Sequence, residues 1–85
     1  MIKMKLIYFS RIREILGKSS EEISIRANTI RELIDELQNS SQEYAVLKGN
    51  RFKVCIAVDQ ALITDLDFSI GNAKEVAFFP PMTGG

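Results

Sequence analysis

The chain has 85 residues, of which 46% are hydrophobic and 26% are charged, a composition typical of one small globular domain and not of a disordered chain. Eleven Lys and Arg balance eleven Asp and Glu, so the chain lacks the net positive charge with which proteins attract nucleic acid or anionic membranes. The longest uninterrupted apolar run, Val54 to Val58, is much shorter than the ~20 residues of a membrane-spanning helix.

The first third of the chain predicts a strand, a short helix and a second strand. Apolar residues alternate with lysines from Ile2 and then occupy both faces up to Phe9, which is typical of a strand that enters a core. Ser10 is the expected N-cap of a short helix that Gly17 ends. Residues 20–26 alternate again and predict a strand that pairs with the first.

The strongest local pattern predicts the main helix. Thr29 and Glu32 form the T-x-x-E of a capping box. Behind them, apolar residues recur at helical spacing on one face: Ile30, Leu33, Ile34 and Leu37. Each of these side chains contributes roughly 1.5 to 3 kcal/mol on full burial, so together they can anchor the helix across a sheet. The polar stretch from Asn39 to Gln42 is expected to end it.

The second half of the chain predicts mostly strands. The expected order is a further helical turn at Tyr44, Val46 and Leu47, a turn at Gly49 and Asn50, a fully buried strand at 51–59, a short partner strand at 60–64, a turn at 69–74 and a last strand at 75–79. One main helix plus short helices on a mixed four- to five-stranded sheet is an α+β grasp. We therefore expect a globular domain over residues 1–79 and a flexible tail over residues 80–85.

Few side chains are suited to catalysis. Histidine, the commonest general base and metal ligand, is absent, and there is no phosphate-binding loop or Cys/His pair at metal spacing. Cys55 lies in the most apolar stretch and predicts a buried structural thiol rather than a nucleophile. We therefore expect a chain that is no enzyme on its own and that binds neither a metal nor a cofactor.

The location expected for the chain is cytoplasmic. The apolar stretch from Leu6 to Phe9 is shorter than the ~7 to 15 residues of a signal-peptide core. Cys55 is the only cysteine, so the fold cannot depend on an internal disulfide or on an oxidising compartment.

The last ten residues, VAFFPPMTGG, are the most informative segment. A diproline alone usually just ends a strand, and a diglycine alone is usually flexible slack or a cloning remnant. Together they make a stiff apolar stem followed by two residues without side chains, which suits entry into a narrow channel of another protein. Six extended residues after Phe79 span on the order of 20 Å. The pattern favours a tail that delivers its terminal carboxylate to a partner.

The segments EVAFFPPMTGG, IYFSRIREILG and CIAVDQALI together resemble the small subunit of molybdopterin synthase, a sulfur carrier of the ubiquitin-like β-grasp class. The resemblance covers nearly the whole chain, and FFPP followed by a diglycine is its most specific element. It implies that an ATP-dependent activating enzyme adenylates Gly85 and that a sulfur donor then displaces AMP to leave a thiocarboxylate.

The resemblance also implies the remaining roles. The large subunit of the synthase, with which the chain would form a heterotetramer, takes up the tail and uses its sulfur to build the dithiolene of molybdopterin. Gly84 permits entry into the channel, and the inserted stem consists of Pro80, Pro81, Met82 and Thr83. Phe9, Phe78 and Phe79 are candidates for the docking surface, although strand alternation places Phe78 and Phe79 on opposite faces, so that only one of them is available to a partner.

Two other functions fit the same features. One is a sulfur carrier for thiamine synthesis or tRNA thiolation, which shares the fold and the diglycine. The other is a ubiquitin-like modifier whose terminal carboxylate forms an isopeptide bond with target lysines.

Overall fold

A computed structural model describes residues 1–81 of the chain. Its strands are β1 (Ile2–Tyr8), β2 (Ser20–Ile25), β3 (Cys55–Val58), β4 (Ala61–Ile63) and β5 (Glu75–Phe79). Its helices are α1 (Ser10–Leu16), α2 (Ile30–Ser40) and a 3₁₀ helix (Gln42–Lys48). No helix within this part of the chain is both long and apolar enough to cross a bilayer.

The strands form one five-stranded sheet in the order β2-β1-β5-β3-β4. β1 and β5 are parallel neighbours at its centre, and the other pairs are antiparallel. Because β1 and β5 run in the same direction, both end at the same edge of the sheet, where Tyr8 lies beside Phe78. The predicted mixed sheet with one main helix is confirmed.

One face of the sheet is covered and the other is open. Alternate residues of the strands, such as Leu6, Ile56 and Val76, join the apolar side of α2 in a single core. All four apolar residues predicted to anchor α2 are at most 3% exposed: Ile30, Leu33, Ile34 and Leu37. The residues between them on each strand point to the opposite face, which none of the helices within residues 1–81 covers.

The start of α2 follows the predicted capping box with one difference. Thr29 Oγ1 accepts a hydrogen bond from the backbone N–H of Glu32 at 3.2 Å. The Glu32 carboxylate accepts from the N–H of Asn28 at 2.8 Å, one residue earlier than the usual reciprocal bond. The predicted helical turn after α2 is confirmed as the 3₁₀ helix, in which Tyr44, Val46 and Leu47 are buried.

The predicted N-cap of α1 was wrong. Phe9, and not Ser10, is the N-cap, while Ser10 is the first helical residue with φ of 52°. The reason is the sheet: the Phe9 N–H donates to the Phe78 carbonyl at 3.1 Å, so pairing with β5 keeps Phe9 extended. Its carbonyl then accepts from Ile12 and Arg13, and the chain turns into α1 through the left-handed Ser10.

The predicted strand at 51–59 was too long, and its burial was wrong. β3 contains only residues 55–58, and along it Ile56 and Val58 are buried while Cys55 and Ala57 are half-buried. A strand in a sheet that is covered on one side alternates in burial, even where its sequence is continuously apolar. Cys55 is therefore half-buried on the open face, and the prediction of a buried thiol is corrected.

A polar cluster fastens the edge strand β2 to the 3₁₀ helix. The Glu21 carboxylate accepts hydrogen bonds from the hydroxyls of Tyr8 at 2.7 Å and Tyr44 at 2.6 Å, and from Lys18 Nζ at 3.0 Å. Burial alone would raise the pKa of Glu21, but these donors outweigh it and lower that pKa below its ordinary value. Burial and the nearby Glu21 carboxylate raise the pKa of Tyr8 and of Tyr44.

Candidate functional site

The tail begins at the edge of the sheet where β1 and β5 both end. β5 stops at Phe79, and Pro80 and Pro81 follow it as half-buried residues outside the sheet. The other residues with predicted roles in the tail, Met82, Thr83, Gly84 and Gly85, lie outside the described residues, so those roles stay predictions.

The two phenylalanines of β5 lie on opposite faces of the sheet. Phe78 is 0% exposed in the core and stacks on Tyr8, with ring centroids 5.9 Å apart. Phe79 is half-buried on the open face, opposite Cys55 of β3. Phe78 therefore has no surface to offer a partner, and its place among the docking candidates is corrected. Phe79 keeps that candidate role.

Phe9 joins Phe79 on the open face. Their rings meet edge to face with centroids 6.5 Å apart, and Phe9 is 45% exposed. An exposed aromatic pair beside the first residues of the tail is suited to a partner that binds the tail, because aromatic side chains dominate protein interfaces.

The aromatic pair belongs to a larger apolar surface, which we call the open-face patch. A row of four paired residues crosses the sheet on this face: Ile7, Ala77, Ala57 and Leu62. Together with Phe9, Phe79 and Cys55 they form the patch, and Leu62 is 66% exposed. Sequence reasoning missed Leu62, because residues 61–63 are all apolar and show no alternation that would mark one side chain as exposed.

Charged residues occupy the rest of the open face. Lys3 of β1 pairs with Glu22 of β2 at 3.6 Å, and Lys5 lies beside Glu75 in the register. A contiguous apolar area with a charged border is the usual anatomy of a protein-binding surface.

A groove lies beside the first residues of the tail, and we call it the root groove. It has a volume of about 520 Å³ and is lined by Ser10, Arg11, Phe52, Lys53, Pro80 and Pro81. The guanidinium carbon of Arg11 lies 4.5 Å from the centre of the Phe52 ring. Sequence reasoning did not identify this groove, because residues 10–11, 52–53 and 80–81 are far apart in the chain.

No chemistry-bearing cluster accompanies these surfaces. Within residues 1–81, no three His, Cys, Asp or Glu side chains are close enough together to hold a metal ion. The shifted pKa values of Glu21, Tyr8 and Tyr44 belong to the polar cluster at β2 and the 3₁₀ helix. What the described residues offer is an exposed apolar face next to the start of the tail.

Known proteins are similar to this chain along most of its length. The sequence profile of the ThiS family matches residues 6–85. A Mycobacterium tuberculosis protein named "Molybdopterin synthase sulfur carrier subunit" is 36% identical over 100% of both chains. An Escherichia coli protein of the same name is 32% identical over 96% of this chain and 99% of its own.

A solved structure shows the same fold. One chain in the complex of subunits 1 and 2 of molybdopterin-converting factor from Helicobacter pylori has a TM-score of 0.66 and 23% identity, over 99% of this chain and 100% of that chain. The family profile covers nearly the whole sequence. The chain therefore belongs to the ThiS family and has the ubiquitin-like β-grasp fold.

Proposed function

We propose that this chain is the sulfur-carrying small subunit of a molybdopterin synthase. One observation carries the proposal: the similarity to proteins named as such subunits is end to end and includes the diglycine, since the family match continues to Gly85. In this proposal Gly85 is the reacting residue, and the globular domain serves to present it.

The chemistry begins at the terminal carboxylate. It is ionised at neutral pH, since its reference pKa is ~3.5, and an ionised carboxylate is a poor acyl donor. An activating enzyme would transfer AMP from ATP to one carboxylate oxygen and release pyrophosphate. Sulfide from a sulfur donor would then attack the carbonyl carbon and expel AMP with that oxygen, leaving a thiocarboxylate on Gly85. ATP is bound by the enzyme and not by this chain.

The second step returns the tail to its starting state. Within the large subunit, the thiocarboxylate sulfur would form a C–S bond to a carbon of the pterin precursor as an oxygen substituent leaves that carbon. Water would then cleave the acyl C–S bond, which leaves the sulfur on the precursor and regenerates the carboxylate. Two rounds supply the two sulfurs of the dithiolene. The catalytic groups belong to the large subunit, so this chain acts as a sulfur-donating subunit of a sulfurtransferase and not as a catalyst.

The open-face patch supplies the docking surface in this proposal. Phe9, Leu62 and Phe79 would contact the large subunit while Pro80 and Pro81 guide the tail away from the globule. The fixed φ of proline keeps this stem extended, which lowers the entropy lost when a channel closes around it. We propose a heterotetramer of two small and two large subunits, in the cytoplasm.

Mass spectrometry of the intact protein tests the proposal. The chain would be incubated with the activating enzyme of the same organism, ATP and a sulfur donor, with a variant that lacks Gly85 as the control. We expect a mass increase equal to one oxygen exchanged for sulfur in the full chain and no increase in the control. A chain that stays a carboxylate overturns the proposal.

Two readouts separate the alternative functions: the mass of the product and the conversion of the pterin precursor. A ubiquitin-like modifier would appear as the mass of this chain joined to a lysine of another protein. A carrier for thiamine synthesis or tRNA thiolation would gain sulfur but would not convert the pterin precursor when the large subunit is added.

A further inference from the structure

We propose that the root groove is a second recognition site, which binds an acidic segment of the large subunit that takes up the tail in the proposed function. Carboxylates of that segment would pair with Arg11 and Lys53, and an apolar side chain beside them would lie on Phe52 and the two prolines. The inference rests on the proposed function, because it describes how a partner that receives the tail distinguishes this chain.

The position of the groove ties it to tail uptake. Pro80 and Pro81 are walls of the root groove and are also the first two residues of the stem. A protein that closes around the stem must therefore pass within contact distance of Arg11, Phe52 and Lys53. The groove is separate from the open-face patch, whose residues do not line it.

The charge of the groove defines the chemistry of the occupant. Arg11 and Lys53 are both exposed, and within residues 1–81 neither enters an ion pair. Of the eleven basic residues, four are paired with carboxylates (Lys3, Lys18, Arg31 and Lys48) and the other seven, all within residues 1–81, are not, so what distinguishes Arg11 and Lys53 is that they line the same groove. Two cations over an apolar floor match a short acidic peptide segment. They are too few for nucleic acid, whose binding proteins commonly neutralise about 6 to 10 phosphates.

The Arg11 side chain is already positioned for such a contact. Its guanidinium packs against the Phe52 ring, and Phe52 is half-buried at the edge of the core. A guanidinium has five N–H donors, so contact with one ring leaves donors for a carboxylate. Holding the side chain before binding reduces the entropy lost when a carboxylate accepts from two donors at once.

Charge reversal tests the inference. Affinities for the large subunit and for the activating enzyme would be measured for the parent, for Arg11→Glu with Lys53→Glu, and for the matched control Arg26→Glu. Arg26 is exposed and follows β2 at the end that pairs with Ile2, so it lies at the edge of the sheet away from the tail. We expect the groove variant to bind the large subunit about tenfold more weakly at low salt, with the activating enzyme as the comparison. Its affinity should also depend less on salt than that of the parent.

A second variant removes the ring that positions Arg11 without changing the charge of the groove. Phe52→Leu keeps an apolar side chain at the edge of the core but loses the ring, so we expect about threefold weaker binding with an unchanged salt dependence. Rescue of the groove variant by reversing an acidic segment of the partner to lysine would support the inference further.

The results distinguish this inference from the proposed function. Equal affinities of parent and groove variant for the large subunit overturn the inference, as does an equal loss in Arg26→Glu. If Gly85 gains no sulfur in the parent, the proposed function fails instead. Unfolding of the groove variant, monitored by circular dichroism, should match that of the parent because both substituted side chains are exposed.

Discussion

Phe9 and Phe79 contact each other edge to face, with ring centroids 6.5 Å apart, on the side of the sheet that α2 leaves uncovered. Although 70 positions (79 − 9) separate them in the sequence, the two side chains meet because β1 and β5 are parallel neighbours that end at the same edge of the sheet. The tail starts from that edge. The geometry thus places an aromatic surface beside the segment that the proposed partner must take up.

Phe79→Ala and Phe78→Ala form a matched pair of variants. Phe78→Ala should destabilise the domain by about 3 to 5 kcal/mol, because it empties a fully buried site. Phe79→Ala should cost about 1 kcal/mol, since its side chain is half-buried. It should nevertheless weaken binding to the large subunit by about tenfold or more, as expected for an aromatic anchor. Chemical denaturation and calorimetric titration measure the two effects. Normal binding by Phe79→Ala would remove the aromatic pair from the docking surface.

Gly84→Val should abolish sulfur delivery with a change in unfolding free energy below about 0.5 kcal/mol. A β-branched side chain restricts the backbone and adds bulk where a channel must close around the tail. Single-turnover assays with the activating enzyme, and separately with the large subunit, would locate the blocked step. Gly84→Ala is the control, and we expect a smaller loss from it. Parental rates of sulfur delivery in Gly84→Val would show that the diglycine is not required for function.

Glu21 should make stability depend on pH in the acid range. Its pKa is lowered in the folded protein, so its contribution to stability is present above its unfolded pKa of ~4.3. That contribution is lost as the pH falls through the lower, folded pKa. Below about pH 4.5, the unfolding free energy of Glu21→Gln should therefore decrease less steeply with falling pH than that of the parent. Denaturation at several pH values checks this, and Glu22→Gln is the exposed control. Identical slopes in Glu21→Gln and the parent would contradict the expectation.

Cys55→Ser should cost about 1 kcal/mol or less, because the thiol is half-buried and a hydroxyl at this position can reach water. Sulfur transfer per folded molecule should stay at the parental level, since the sulfur is carried at Gly85 in the proposed mechanism. The measurement is the thiocarboxylate yield of the folded variant by intact mass. A folded variant without transfer would assign Cys55 a direct part in the chemistry.

The local features of the fold could be predicted from the sequence alone. The capping box at Thr29 and Glu32 depends on atoms three residues apart, and the apolar face of α2 depends on helical periodicity. Strand alternation likewise determines that Phe78 and Phe79 face opposite ways. The diproline and the diglycine could also be interpreted from the sequence, because proline restricts and glycine frees the backbone at its own position.

Only the tertiary structure decided how these features combine. Which phenylalanine is buried depends on the side of β5 that α2 covers, and the N-cap of α1 moved to Phe9 because that residue pairs with Phe78 across the sheet. The open-face patch and the root groove are likewise assembled from distant segments, as the contact of Arg11 with Phe52 shows. Strand order and the choice of covered face are long-range pairings, and a periodicity that spans a few residues carries no information about them.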